Sequence, residues 1–231
     1  MRGIPSLPLC LFITSGLMRA QGVDANLMRE ATLVRAAVAS SAEGLRQYTW
    51  TEQTEVLVGG SLKSSTTFHC HYDASGQLVK TPVETGKTMD KAAATSRRPV
   101  VRSSADMQDY IERAVNRIRN YVPPEPRLID YALQNGNASL GQSGNANAEI
   151  RLTHYFEQRD SFVFTYDSGS KVLQRAAITS TLGSPKDPVT LEAVFETLPD
   201  GVNHLSSAVL NAKRKNVVVK TRNLDYRKVA P

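Results

Sequence analysis

From Asn26 to Arg46 the apolar residues Leu27, Ala31, Val34, Val38, Ala42 and Leu45 recur every three or four positions, with Arg29, Glu30, Arg35, Glu43 and Arg46 between them. One apolar stripe on an otherwise charged cylinder predicts an amphipathic helix. At Tyr48 the period drops to two. Tyr48, Trp50, Val56 and Val58 share one face, Thr49, Thr51, Gln53 and Glu55 the other, and Gly59-Gly60 turns the chain. The returning segment alternates again, with Leu62, Ser64, Thr66, Phe68, Cys70 and Tyr72 opposite Lys63, Ser65, Thr67, His69 and His71. Asp73-Ala-Ser-Gly76 supplies turn chemistry before a third strand, Gln77 to about Val83.

Residues 84 to 104 break the pattern. Lys87, Lys91, Arg97, Arg98 and Arg102 stand among small residues, which predicts a basic loop. Ser103-Ser-Ala-Asp106 has the form of a helix start. The stripe Met107, Ile111, Val115, Ile118 and Val122 then runs to Pro123-Pro124, and a shorter helix spans Pro126 to Gly136. Beyond a Gly-rich polar stretch with a short strand near Ala138 to Gly141, the chain is a run of strands separated by turns. Ile150, Leu152, His154 and Phe156 alternate with Arg151, Thr153, Tyr155 and Glu157; Phe162, Phe164 and Tyr166 follow. Further strands are expected at Val172 to Leu182, Val189 to Leu198, Asn203 to Leu210 and Val217 to Val229.

Short turns force antiparallel neighbours, and a sheet of about nine or more strands must twist and curl. The expectation is an α+β fold: a curved antiparallel sheet, or half-barrel, with helices packed on its concave face. Residues 26–231 form one such domain with a helical and basic-loop insertion at 84–136. Residues 1–25 precede it as a signal peptide, because Met1-Arg2 leads into an apolar run, Ile4 to Leu17, that is too short to span a bilayer and is followed by small residues. Cleavage after Ala20, Gly22 or Ala25 each presents a small residue. The expected location is periplasmic or secreted. Loss of Arg2, Arg19 and Asp24 takes the net charge from +6 to +5. An excess of that size outside the cytoplasm points to an anionic envelope surface rather than nucleic acid. Cys70 is then the one remaining thiol, so no intramolecular disulfide supports the fold.

Several strings resemble the bacterial lipoprotein-carrier (LolA-type) half-barrel superfamily and its uncharacterised secreted members. They are Leu45-Arg-Gln-Tyr-Thr-Trp50, Tyr72-Asp-Ala-Ser-Gly-Gln-Leu78, Tyr121-Val-Pro-Pro-Glu-Pro126, Asp187-Pro-Val-Thr-Leu191, Leu198-Pro-Asp-Gly201 and Asp225-Tyr-Arg-Lys228. The resemblance implies an eleven-strand or similar curved sheet, a helical lid, and an apolar cavity that in the carriers holds acyl chains. The carriers' lid-closing Arg has no assignable position here.

The side chains expected to face such a cavity are Trp50, Phe68, Tyr72, Met107, Ile111, His154, Phe156, Phe162, Phe164, Tyr166 and Phe195. Their ligand would be a lipid or another apolar molecule; the alternative for the same residues is plain core under the helices. Lys91, Arg97, Arg98, Arg113 and Arg117 are the expected contacts with an anionic membrane, the alternative being a solvated helix face. His69 and His71 point the same way along a strand, yet Cys70 points oppositely, and two imidazoles do not complete a zinc site. No nucleophile elbow, phosphate-binding glycine loop or HExxH motif is present. A non-enzymatic protein without cofactor is therefore expected. Two roles remain. A continuous apolar pocket favours a lipid carrier, and a fully packed concavity favours an envelope scaffold or interaction protein.

Overall fold

The computed structural model describes residues 24–83, 99–122 and 124–229. The expected leader lies outside them up to Val23, as do Lys91, Arg97 and Arg98 of the basic loop. The described elements are α1 (Ala25–Leu45), β1 (Tyr48–Val58), β2 (Ser61–Tyr72), β3 (Leu78–Pro82), α2 (Pro99–Arg119), α3 (Pro126–Gln134), β4 (Ala138–Gln142), β5 (Asn147–Thr153), β6 (Ser161–Asp167), β7 (Leu173–Thr181), β8 (Pro188–Thr197), β9 (Asn203–Ala212), a 3-10 turn (Lys213–Lys215) and β10 (Val217–Lys228). Among them the strands form one ten-stranded sheet in the order β3-β2-β1-β10-β9-β8-β7-β6-β5-β4. Every pairing is antiparallel. The half-barrel expected from the sequence is borne out, with the three helices on the concave face.

Local chemistry explains the elements. Asp24 caps α1, its carboxylate accepting the amides of Asn26 at 2.9 Å and Leu27 at 3.4 Å. Gly59 and Gly60 adopt φ of +59° and +79°, the pair of positive values that a two-residue hairpin between Val58 and Ser61 demands. Asp73 and Asp167 close their turns through side-chain oxygens that accept the amides of Ser75 and Gln77, and of Gly169 and Ser170.

α1 packs on β9 and β7, α2 lies across β7, β8 and β9, and α3 covers β5. The core sits between these helices and the sheet. Leu152, Phe162 and Ile178 are at most 1 % exposed, and burial of each contributes about 1.5–3 kcal/mol. β1, β2 and β3 lie beyond the main helix contacts. Ser64 and Thr66 on the inner side of β2 are accordingly exposed.

Four local expectations are corrected. α2 begins at Pro99, four residues before the Ser103 start, because proline at the first helical position lacks only an amide that has no partner there. α3 stops at Gln134 rather than Gly136. Leu62 pairs with Leu57, while Ser64 pairs with Val56, so a register shift separates Leu62 from the inner face and it is 48 % exposed. Most consequential, β5 ends at Thr153 instead of continuing to Glu157. Asp160, 4 % exposed, gathers the amides of Tyr155, Phe156 and Glu157 at 2.7–2.8 Å and folds the segment into a turn in which His154 has a φ of +52°. The alternation inverts as a result. Tyr155 is buried, whereas His154 and Phe156, expected inside, are exposed.

Candidate functional site

Three buried tyrosines tie the helices to the sheet. On α2, Tyr110 (1 % exposed) donates its hydroxyl to Asp187 in the β7–β8 loop at 2.7 Å. Just past the end of α2, Tyr121 (0 % exposed) donates to Asp160 at 2.7 Å and lies 2.9 Å from Ser180 of β7. On β6, Tyr166 donates at 3.0 Å to Glu30 of α1, which also receives Lys171 at 2.7 Å. Burial first, and the facing carboxylate second, push the Tyr110 phenol up to about 12. Burial likewise raises Tyr121 and Tyr166, and the Lys171 ammonium lowers Glu30. A neutral phenol facing a carboxylate is a strong donor to a charged acceptor, the more so out of water.

These ties were hidden in the sequence because each joins residues far apart along the chain. One signal was available. Tyr110, Ala114, Ile118 and Tyr121, spaced four, four and three, form the buried line of α2, whereas the aliphatic stripe singled out from the sequence is only half-buried at Met107, Ile111 and Val115 and ends at Val122, which is 49 % exposed.

The expected cavity-facing residues separate into groups. Phe162, Phe164, Tyr166 and Phe195 lie in the core or against it beneath the helices, together with Met107 and Ile111 of α2. Trp50, Phe68 and Tyr72 stand on the inner face of β1 and β2. β1 and β6 are five strand spacings apart, about 24 Å along the sheet, while β8, which carries Phe195, is three spacings from β1. His154 and Phe156 belong to neither.

Around Trp50 a second cluster gathers. Its indole stacks on Tyr226 with centroids 5.6 Å apart and tilts against Tyr72 at the same distance, and Tyr226 in turn meets His204 at 4.1 Å. Asp225, with φ +55°, sits in the register shift between β10 and β1 beside Tyr226. Lys80 of β3 binds both oxygens of Glu52, at 2.7 and 2.6 Å. Cys70 is wholly buried, and desolvation raises its thiol, which makes it inert. Trp50 Nε1 and Asn223 Oδ1 are buried polar atoms without hydrogen-bond partners among the described residues.

Two hollows of about 480 and 510 Å3 lie elsewhere. The first is at the β6–β7 and β8–β9 end, bordered by Asp167, Leu173, Phe195 and Asn203. The second is on the outer face of β5–β8, where Arg151, Val163, Arg175 and Glu192 border it. The His69 and His71 rings are 6.4 Å apart, and among the described residues no group of three metal-ligating side chains occurs. Arg117 is spent on an ion pair with Glu157. Arg113, by contrast, stacks on the Tyr110 ring, and Lys215 of the 3-10 turn stacks on the same ring. The basic run Lys213–Lys215 thereby meets α2.

No family model matches the chain, and no curated protein matches it. Among solved structures it is similar to a DUF1329 family protein from Desulfovibrio piger, at 7 % identity over 87 % of this chain and 92 % of that one, with a TM-score of 0.43. The MucA/MucB complex of Pseudomonas aeruginosa contains a chain with 11 % identity over 90 % of this chain and 100 % of that one, at a TM-score of 0.25. A LolA superfamily protein from Nitrosomonas europaea aligns at 9 % identity over 86 % of this chain and 94 % of that one, with a TM-score of 0.39.

Proposed function

We propose that this chain is a non-enzymatic protein of the cell envelope that acts through its surface, as an interaction protein whose concavity is filled by its own side chains. One observation carries this reading: the space between helices and sheet is occupied by Tyr110, Tyr121, Phe162, Tyr166 and Ile178, each at most 1 % exposed, with the helices fastened by buried tyrosine–carboxylate hydrogen bonds. An acyl chain there would have to displace these side chains and strand Asp187, Asp160 and Glu30 without their phenols. Envelope placement rests on the leader-like sequence of residues 1 to 25. Asp24 caps α1, so a cut after Ala20 or Gly22 preserves the cap while one after Ala25 removes it.

The inner face of β1 and β2 favours a second reading, in which an amphiphile lies against Trp50, Phe68 and Tyr72. Its support is the aromatic cluster of Trp50, Tyr72 and Tyr226, which lies beyond the main helix contacts. Native mass spectrometry with solvent extraction of the purified protein separates the two. The interaction protein carries no lipid and displaces no apolar dye, whereas a single acyl lipid per chain would overturn it in favour of the amphiphile site.

A further inference from the structure

At one end of the sheet α2 runs past four loops in succession. Lys215 of the 3-10 turn donates to the backbone carbonyl of Asp106 at 2.9 Å, and the Gly59 amide of the β1–β2 hairpin bonds the carbonyl of Asn216 beside it at 2.9 Å. Tyr110 then meets the β7–β8 loop at Asp187, and Arg117 meets the β5–β6 turn at Glu157. Cations from two elements, α2 and the 3-10 turn, gather at Tyr110 and its partner Asp187. Lys215 Nζ lies 5.1 Å and Arg113 Cζ 5.9 Å from the Tyr110 ring centroid, while Arg214 reaches the Asp187 carboxylate at 3.4 Å. Lys186 and Lys213 stand exposed beside them.

The cations of this group outnumber the exposed carboxylates around it. Asp187 is 3 % exposed and already engaged by Tyr110 and Arg214, and Asp160 is 4 % exposed and enclosed by its turn. On α2 the exposed Asp106 and Asp109 lie on the side of Arg113, two turns and one turn before it, and Glu112 lies away from Tyr110, so the exposed excess of positive charge comes from Lys186, Lys213 and Arg214 in the loops. Apolar side chains flank the cations: Leu62 in the hairpin is 48 % exposed and Phe156 in the β5–β6 turn 46 %. Cations beside protruding apolar groups are the recognition chemistry of an anionic lipid surface, where the charges meet headgroups and the apolar groups enter the acyl boundary. An acidic protein partner would use the same cations but would give the chain no affinity for vesicles. On the footing of the surface-acting role above, we propose that this rim docks the protein on an anionic bilayer.

The test is co-sedimentation of the purified protein with vesicles of phosphatidylcholine containing phosphatidylglycerol, against phosphatidylcholine alone. Binding is expected to the anionic vesicles only and to be lost in 1 M salt, where the screening length falls to about 3 Å. At about fivefold per basic residue, Lys186→Ala with Lys213→Ala weakens it about 25-fold. Leu62→Ser weakens it further. Lys220→Ala with Arg222→Ala, on the outer face, leaves it unchanged, and melting curves of all variants verify folding. The proposal is overturned by a wild-type protein that ignores anionic vesicles, or by an outer-face pair that matters as much as the rim pair. A lipid extracted from the interior would sink the filled-concavity reading alone, because rim binding is read separately from its salt and charge dependence.

Discussion

Replacing Tyr121 by Phe removes one oxygen from a wholly buried node and changes little else. The phenol donates to Asp160 at 2.7 Å, so the contact at 2.9 Å has Ser180 donating to the phenol oxygen. Asp160 keeps three backbone amides after the change, but Ser180, 1 % exposed, loses this partner. A hydrogen bond to a charged acceptor is worth about 1.5–3 kcal/mol, and an orphaned buried hydroxyl adds about 1 or more. The expected loss is about 3 kcal/mol, a large share of a typical 5–15 kcal/mol domain stability. For a domain of this size it lowers Tm by roughly 6–12 °C. Urea unfolding followed by circular dichroism should show a lower midpoint at unchanged slope. Adding Ser180→Ala to Tyr121→Phe should cost less than the two changes separately, with a coupling of about 1 kcal/mol. Tyr131→Phe, at a residue 56 % exposed, should stay within about 0.5 kcal/mol of wild type. A Tyr121→Phe loss below about 0.5 kcal/mol, or strict additivity with Ser180→Ala, would refute the idea that this node fastens α2.

Tyr110, held at about 12, stabilises the fold fully below the ordinary phenol value of about 10 and ceases to do so as pH rises through 12. An alkaline titration of tyrosinate absorbance should therefore lose a late component, near pH 12, in Tyr110→Phe. At the other extreme, Tyr48 and Lys228 lower Asp200 to about 2, so its contribution is present above about pH 4 and disappears as pH falls to about 2. Any stability difference between wild type and Asp200→Asn at neutral pH should vanish in acid unfolding at pH 2. Cys70, fully buried with a raised thiol, should resist thiol reagents in the native protein and react once denatured; rapid native labelling would contradict its placement.

The sheet was legible in the sequence because its turns are short and its strands alternate cleanly. Phe68, Cys70 and Tyr72 against His69 and His71 divided correctly by period alone. What the period concealed were places where one side chain reorganises the backbone. Asp160 ends β5 by collecting three amides, and nothing in Thr153-His-Tyr-Phe156 itself signals that the alternation stops there. The register shift opposite Val56 releases Leu62 in the same way. The α2 tyrosines were passed over because a residue with both a ring and a hydroxyl reads as neither core nor surface until its partner is known, and Asp187 is 77 residues from Tyr110. Arg113 and Arg117, alike in sequence, also part company: one stacks on a ring at the rim and the other is consumed by Glu157.

Native-state hydrogen exchange of α2 against the sheet bears most directly on a permanently filled concavity. The account predicts that the amides of Tyr110, Ala114 and Ile118 open with the same free energy as those of Phe162 and Ile178, through global unfolding alone. Exchange of α2 through a separate opening several kcal/mol lower, with the smaller but finite denaturant slope of a partial unfolding, would contradict it, because helices that lift away from the sheet leave room for a ligand beneath them.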